Sequence, residues 1–297
     1  MLGNTLVIAT YQKCPPLQTV ANTFIISIHL AVADEVTGLS CLVMVIPARF
    51  LPITFICTSF EFQLFTTLFA TVPFVASFLF LLMVSVDRFI AVFWPLRYQT
   101  IMTQKRATVL SCVMWLLSMI YYIITMTDSY FQLKTTSEQK VVITCMKRSA
   151  VPRFMGMTFG TLYMVVLIPH IVIYICIFTV VIRQQKKMNI TNENGSSNSG
   201  QNIPKSSLNL VKTALIVIGL FQICWTPFVV YLTILQFDLI DARERTVGIG
   251  MFVAYVIAII NSGMNPIVYA VRSTAFRTGM RKVLKLKPNE VENVSHS

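Results

Sequence analysis

Long stretches without a charged side chain are the feature that most constrains this chain. About 20 apolar residues cross a bilayer as a helix. Charge-free runs of that length lie between Glu61 and Asp87, Arg106 and Asp128, Arg153 and Arg183, Lys212 and Asp238, and Arg245 and Arg272. A sixth, between Lys13 and Arg49, is interrupted only by Asp34 and Glu35, and the apolar opening from Met1 to Tyr11 is too short to span. Of the 297 residues, 55% are hydrophobic and 12% charged, about half the charged share of a soluble domain. The pattern predicts an all-α membrane protein.

A net charge of +12 raises the question of nucleic acid, and its placement answers it. If the spans alternate, Lys105, Arg106, Arg183, Lys186, Lys187, Lys205, Lys212, Arg272, Arg277, Arg281, Lys282, Lys285 and Lys287 fall on one side. The other side carries Arg243 and Arg245, offset by Asp238, Asp241 and Glu244. The positive-inside rule then puts the carboxyl terminus in the cytoplasm. Basic residues gathered beside membrane spans leave nucleic-acid binding without support and predict contact with membrane lipids.

The seven cysteines divide by position. Cys41, Cys112, Cys176 and Cys224 lie within spans and Cys14 in a cytoplasmic turn. Only Cys57 and Cys145 fall on the outer, oxidising side, so they are expected to pair, with two free loop thiols as the alternative.

Taken in order, the opening residues have neither a basic n-region nor a cleavage site, unlike a signal peptide. They read as the cytoplasmic half of a first helix ending at Lys13, with Pro15 and Pro16 forming a tight connection. The second helix is expected over 22–46, ended by Pro47, and the third over 62–93, followed by a loop from Pro95 and Leu96. The fourth is centred on Trp115, and residues 128–153 form a polar outer loop. The fifth helix covers 154–185. The Gly- and Ser-rich run at 188–207 is expected to be disordered and cytoplasmic, so its sequons at Asn189 and Asn194 would not be modified. The sixth helix, 208–236, contains Pro227, and the seventh, 246–271, contains Pro266. Proline removes a helical hydrogen bond, which makes both candidate hinges. Phe276, Met280, Val283 and Leu284 share one face of a final basic segment, as in a helix lying on the inner leaflet. The architecture is therefore a seven-transmembrane helix bundle, residues 1–272, with a truncated first helix. Residues 273–297 form a short amphipathic eighth helix and a cytoplasmic tail.

Several short motifs fall in one order on successive helices: Asn4 in GN, LAVAD ending at Asp34, DRF at Asp87 to Phe89, Trp115, CWTP at Cys224 to Pro227, and NSGMNPIVY from Asn261 to Tyr269. Together they resemble the rhodopsin-like (class A) G-protein-coupled receptors over nearly the whole chain. The PLRY loop and the lack of a cysteine at Gln63, with Cys57 earlier instead, resemble the adenosine, melatonin and melanocortin group.

The resemblance implies a plasma-membrane, multi-pass receptor without enzymatic activity. An extracellular ligand would activate a heterotrimeric G protein through movement of the sixth helix. Arg88 would meet the G protein, with Asp87 holding its guanidinium until then. Phe221, Trp225 and Pro227 would transmit ligand binding, and Tyr174 and Tyr269 would meet through water in the active state, alongside Asn265 and Pro266 of the seventh helix. Asp34, a carboxylate at membrane depth, must be paired, hydrated or protonated. The resemblance implies that Asp34, Ser77, Asn261 and Asn265 hold an allosteric sodium ion. A protonated acid bonded to a neighbouring helix is the alternative. Glu35 lies about 100° further round the helix and has no evident partner.

By the same resemblance the pocket is lined by Thr67, Ala70, Thr71, Phe74, Phe228, Leu232 and Tyr255, apolar with a few hydroxyls. Ala70 stands where amine receptors carry an Asp, so a cationic amine finds no counter-ion. Ile259 stands where opsins carry the retinal lysine, so no retinal cofactor is expected. The inner end of the sixth helix reads Lys205, Ser206, Ser207 in place of the acid that often restrains the arginine, which predicts a weak latch and appreciable basal signalling. A truncated, non-signalling receptor-like protein and, without visible inverted repeats, a transporter remain as alternatives.

Overall fold

The computed structural model describes residues 1–13, 23–135, 137, 153–193, 205–237, 245–272 and 274–285. Among them the regular elements are all helical: α1 Leu2–Lys13, α2 Thr23–Phe50, α3 Ile53–Thr58, α4 Phe60–Phe93, α5 Tyr98–Ile101, α6 Gln104–Thr135, α7 Arg153–Glu193, α8 Lys205–Gln236, α9 Arg245–Arg272 and α10 Thr274–Val283. By length and composition, the stretches Phe60–Phe93, Gln104–Phe131, Gly156–Val180 and Ile249–Val268 can each cross a membrane, and Gly219–Leu235 forms a shorter apolar stretch.

The helix α4 is the axis of the bundle, packing against α2, α6, α7 and α8. Its composition permits this. An apolar helix with no polar face buries residues all round, and along α4 the stretch from Thr71 to Phe78 is buried without a break. The helices α6 and α7 instead bury one stripe and turn Val109, Leu116, Ile120, Val165, Ile168 and Ile175 outward. In a bilayer such a face needs no partner, because lipid tails are as apolar as leucine. The buried stripe of α7 runs Phe159, Tyr163, Val166, His170 and Ile177, at the three- and four-residue spacing of a helical face.

The last helix, α10, packs back on α1 and α9. The rings of Phe276 and Tyr11 lie 6.2 Å apart. Arg277 Nη1 donates to the Ala270 and Val271 carbonyls, at 3.3 and 2.9 Å, at the end of α9, where helical carbonyls lack donors. The expected amphipathic helix is thus present, with Phe276 buried and Leu284 exposed.

Helix boundaries differ from expectation in three places. The helix α2 continues through position 47 to Phe50: a proline deletes one upstream hydrogen bond but does not stop later residues from being helical. The helix α6 extends to Thr135, into the stretch expected to be an outer loop. The helix α7 reaches Glu193, so the first turns of the expected disordered segment are helical. The short α5 was not anticipated; Arg106 Nη1 caps it, donating to the Thr100 and Ile101 carbonyls at 3.0 and 2.8 Å. The tight turn at Pro15 and Pro16, the loop holding Cys145 and residues 194–204 lie outside the described residues.

Candidate functional site

The expected site residues occupy successive levels along α4. At the outer level Thr67 donates to the Gln63 carbonyl and to Met126 Sδ, the latter at 3.1 Å. Thr71 is buried, and its hydroxyl has no hydrogen-bond partner. Most helical threonines here bond the carbonyl one turn back, as Thr66, Thr125, Thr161 and Thr233 do, so Thr71 stands apart. Phe74, Phe228 and Leu232 are buried, and the Phe228 and Tyr255 rings are 5.5 Å apart. Ala70 is half-buried at the same level. These seven residues come from α4, α8 and α9. Gln63 donates from Nε2 to the Ile56 carbonyl at 3.2 Å and ties α3 to α4. Of Cys57 only the backbone, in α3, is described.

The next level is an aromatic cage around Trp225. Phe74 meets the indole edge-on at 4.2 Å and 90°, and Phe78 at 5.0 Å and 87°. Phe221, Phe228 and Phe159 surround it at 6.0 to 6.4 Å. Perpendicular contacts are the favoured geometry for aromatic pairs, about 0.5–1.5 kcal/mol each beyond area burial. Trp225 lies two residues before Pro227, inside α8, so the proline's weak turn sits beside a ring clamped by α4.

Below the cage lies the polar core. Asp34 Oδ1 accepts from Ser77 Oγ at 3.1 Å, and Oδ2 from Asn265 Nδ2 at 2.7 Å. Both bonds cross between helices. Asn4 Nδ2 donates to the Ser262 carbonyl at 3.0 Å, joining α1 to α9. Asn261 Oδ1 is buried with no hydrogen-bond partner. Of the four residues expected to hold a cation, Asp34, Ser77 and Asn261 therefore offer oxygens, whereas Asn265 presents an N–H to the carboxylate. Oxygen donors of this kind are what a hard cation takes. Glu35 has its neighbour in Thr5, whose hydroxyl donates to Oε1 at 3.3 Å. The α1 backbone also passes close to the kink of α9: a Cβ on Gly3 would lie 3.0 Å from Pro266.

At the inner end, Asp87 and Arg88 are both buried. Asp87 Oδ2 accepts from Arg88 Nε at 3.0 Å and also from Nη2. Oδ1 accepts from the Tyr98 hydroxyl at 2.8 Å. Tyr174 and Ser85 hydroxyls lie 3.4 Å apart, one turn above Arg88. The Tyr269 backbone belongs to α9, and its side chain lies outside the description.

Three participants were not anticipated from sequence. Tyr98 closes the second side of Asp87; its place in the PLRY loop, eleven residues on, was the available signal. His29 accepts from Trp115 Nε1 at 3.2 Å and stacks on Phe80 at 5.7 Å, so Trp115 braces α6 against α2. Tyr163 bonds Gln222 and Thr226 across the α7–α8 boundary. An amide such as Gln222 in an apolar span is costly without a partner, and that was the sign to look for one.

The described helices form a bundle around one axial apolar helix, with a proline inside its neighbour α8 and a buried Asp–Arg pair at one end. The comparisons identify its family. A family model described as the 7 transmembrane receptor (rhodopsin family) matches residues 3–269. The chain belongs to that family, a receptor class rather than an enzyme class. Curated relatives include the adenosine receptor A2b of Mus musculus, 30% identical over 95% of this chain and 85% of its own length. The adenosine receptor A3 of Ovis aries is 30% identical over 96% of this chain and 86% of its own length. The adenosine receptor A2a of Homo sapiens is 28% identical over 96% and 69%. The protein is thus a multi-pass membrane receptor similar to adenosine receptors.

Proposed function

We propose that the chain converts binding of an extracellular, non-amine ligand into activation of a heterotrimeric G protein by movement of α8. The observation that carries this reading is the layout of α4. One rigid helix holds Phe74 and Phe78 against Trp225, Ser77 against Asp34, and the Asp87–Arg88 pair at its inner end. A change in the packing around Trp225 therefore acts on the same body that positions Arg88. Coupling requires only that ligand and G protein favour the same helix arrangement.

The ligand site consists of Thr67, Ala70, Thr71, Phe74, Phe228, Leu232 and Tyr255. Its aromatic walls suit a flat, neutral ring system, and the unpartnered Thr71 hydroxyl supplies a polar contact. The relatives named as adenosine receptors make a nucleoside the first probe. In the membrane-inserted protein the carboxyl terminus faces the cytoplasm, where the basic residues gather. Arg88 engages the G protein once released from Asp87, and Tyr174 and Tyr269 are the pair that would meet through water in the active state.

Asp34, Ser77 and Asn261 hold a sodium ion, with Asn265 orienting the carboxylate through its amide N–H. When bound, the ion supplies positive charge that offsets the buried carboxylate.

The test is nucleotide exchange on purified heterotrimeric G proteins by the full chain in lipid discs. Adenosine and other neutral nucleosides are titrated, with Arg88→Ala as the control. Ligand-dependent exchange that disappears in the control supports the reading. Exchange absent with every G-protein class, while nucleosides still bind, overturns coupling.

A further inference from the structure

Tyr163 is fully buried in α7, its ring 6.1 Å from Phe78 and so part of the Trp225 cage. Its hydroxyl donates to Gln222 Oε1 at 2.7 Å and lies 2.7 Å from Thr226 Oγ1. Thr226 Oγ1 also lies 2.7 Å from the Gln222 backbone carbonyl, so its single proton goes either there or to the Tyr163 oxygen, whose own proton is on Gln222 Oε1. One phenol thus grips both ends of a single helical turn of α8, 222 to 226. That turn is special because of Pro227, inside the helix: a proline has no N–H to give the carbonyl four residues back, that of Ile223. The clasp therefore spans the turn one residue before the one, 223 to 227, whose hydrogen bond the proline deletes. The bonds occur together with Arg88 held on Asp87, and the inner end of α8 reads Lys205, Ser206, Ser207, with no acid to restrain Arg88 from there.

We propose that Tyr163 is a positioning residue for the α8 hinge, its hydroxyl clasping Gln222 and Thr226 on the turn that runs into Pro227 and holding α8 in the arrangement that leaves Arg88 on Asp87. The restraint lies at hinge level, between α7 and α8. Its effect on signalling rests on the G-protein reading above; its effect on α8 does not.

The experiment uses the full chain in lipid discs without ligand, with non-cysteine spin-label residues at Gln99 and Lys205 reporting the distance between α5 and the inner end of α8. Tyr163→Phe keeps the ring and removes the hydroxyl. It is expected at least to double the long-distance population, and Thr226→Val, which leaves Tyr163 intact, to raise it in the same direction. The double variant should exceed Tyr163→Phe little or not at all. Thr161→Val, on an exposed face of α7, should leave the distribution unchanged. Tyr163→Phe with Gln222→Leu removes both polar partners together, so thermal stability should recover while the distance stays shifted. Distances unchanged in Tyr163→Phe, strictly additive shifts in the double variant, or a distance that recovers along with stability would each overturn the clasp. A shifted distance without G-protein nucleotide exchange keeps the clasp and overturns the G-protein reading instead.

Discussion

The Tyr98 hydroxyl donates to Asp87 Oδ1 at 2.8 Å while Oδ2 of the same carboxylate takes the Arg88 guanidinium. Asp87 is therefore satisfied on both oxygens from two elements, α5 and α4, and the arginine is held by a carboxylate that is itself fixed. A hydrogen bond to a charged group contributes about 1.5–3 kcal/mol. Without the phenol, Asp87 keeps Arg88 but loses its orientation. Tyr98→Phe should raise ligand-free G-protein nucleotide exchange several-fold at matched surface expression, and Arg88→Ala should abolish it. Unchanged basal exchange in Tyr98→Phe would show that the loop residue is only packing.

The Asp34 carboxylate draws α2, α4 and α9 together through Ser77 and Asn265. If it also holds sodium, replacing sodium by choline should change agonist affinity in the native protein. Asp34→Asn should remove that dependence, since the amide retains hydrogen bonding without the negative charge. Ser77→Ala, which deletes one neutral oxygen, should weaken the dependence while preserving it. Radioligand competition in the two salts measures this directly. An ion effect that survives in Asp34→Asn would place the cation elsewhere.

The sequence made the bundle legible because lipid-spanning helices are set by a single physical demand, uninterrupted apolar length, which charge-free gaps report without ambiguity. The Asp34, Asp87 and Trp225 positions were legible for a related reason: a carboxylate at membrane depth or a tryptophan beside a proline stands out against aliphatic background. What was not legible were the partners. Tyr98, Tyr163 and His29 are ordinary residues until tertiary packing brings each within bonding distance of Asp87, Gln222 or Trp115. Helix ends were also misplaced at Pro47, where a proline leaves the residues after it free to stay helical, and at Thr135, since a helix end in polar sequence depends on local hydrogen bonds rather than on hydropathy.

Thr71 carries a buried hydroxyl without a partner, a group whose desolvation costs roughly 1–3 kcal/mol. Thr71→Val should therefore raise the thermal stability of the ligand-free protein by about 1 kcal/mol or more. If the hydroxyl is a ligand contact, the same change should lower agonist affinity about tenfold, matching the loss of one hydrogen bond near 1.4 kcal/mol. Thermal denaturation with and without agonist separates the two effects. Stabilisation with unchanged affinity would remove Thr71 from the pocket.

Gly250 lies against Tyr231 where α9 meets α8. A Cβ at Gly250 would sit 2.5 Å from the Tyr231 hydroxyl oxygen and 2.8 Å from the ring carbon that bears it. Neither contact is tolerable, so Gly250→Ala must displace the phenol or separate the helices. Overpacking of this kind costs typically 1–3 kcal/mol, and the melting temperature in detergent should fall by several degrees. Because the clash involves the far end of Tyr231, shortening that side chain should relieve it. Gly250→Ala with Tyr231→Leu should melt above Gly250→Ala alone, although Tyr231→Leu by itself removes packing from the native protein. Such a reversal of sign between backgrounds is the mark of direct contact. Additive losses would mean that the glycine is required for some reason other than the ring beside it.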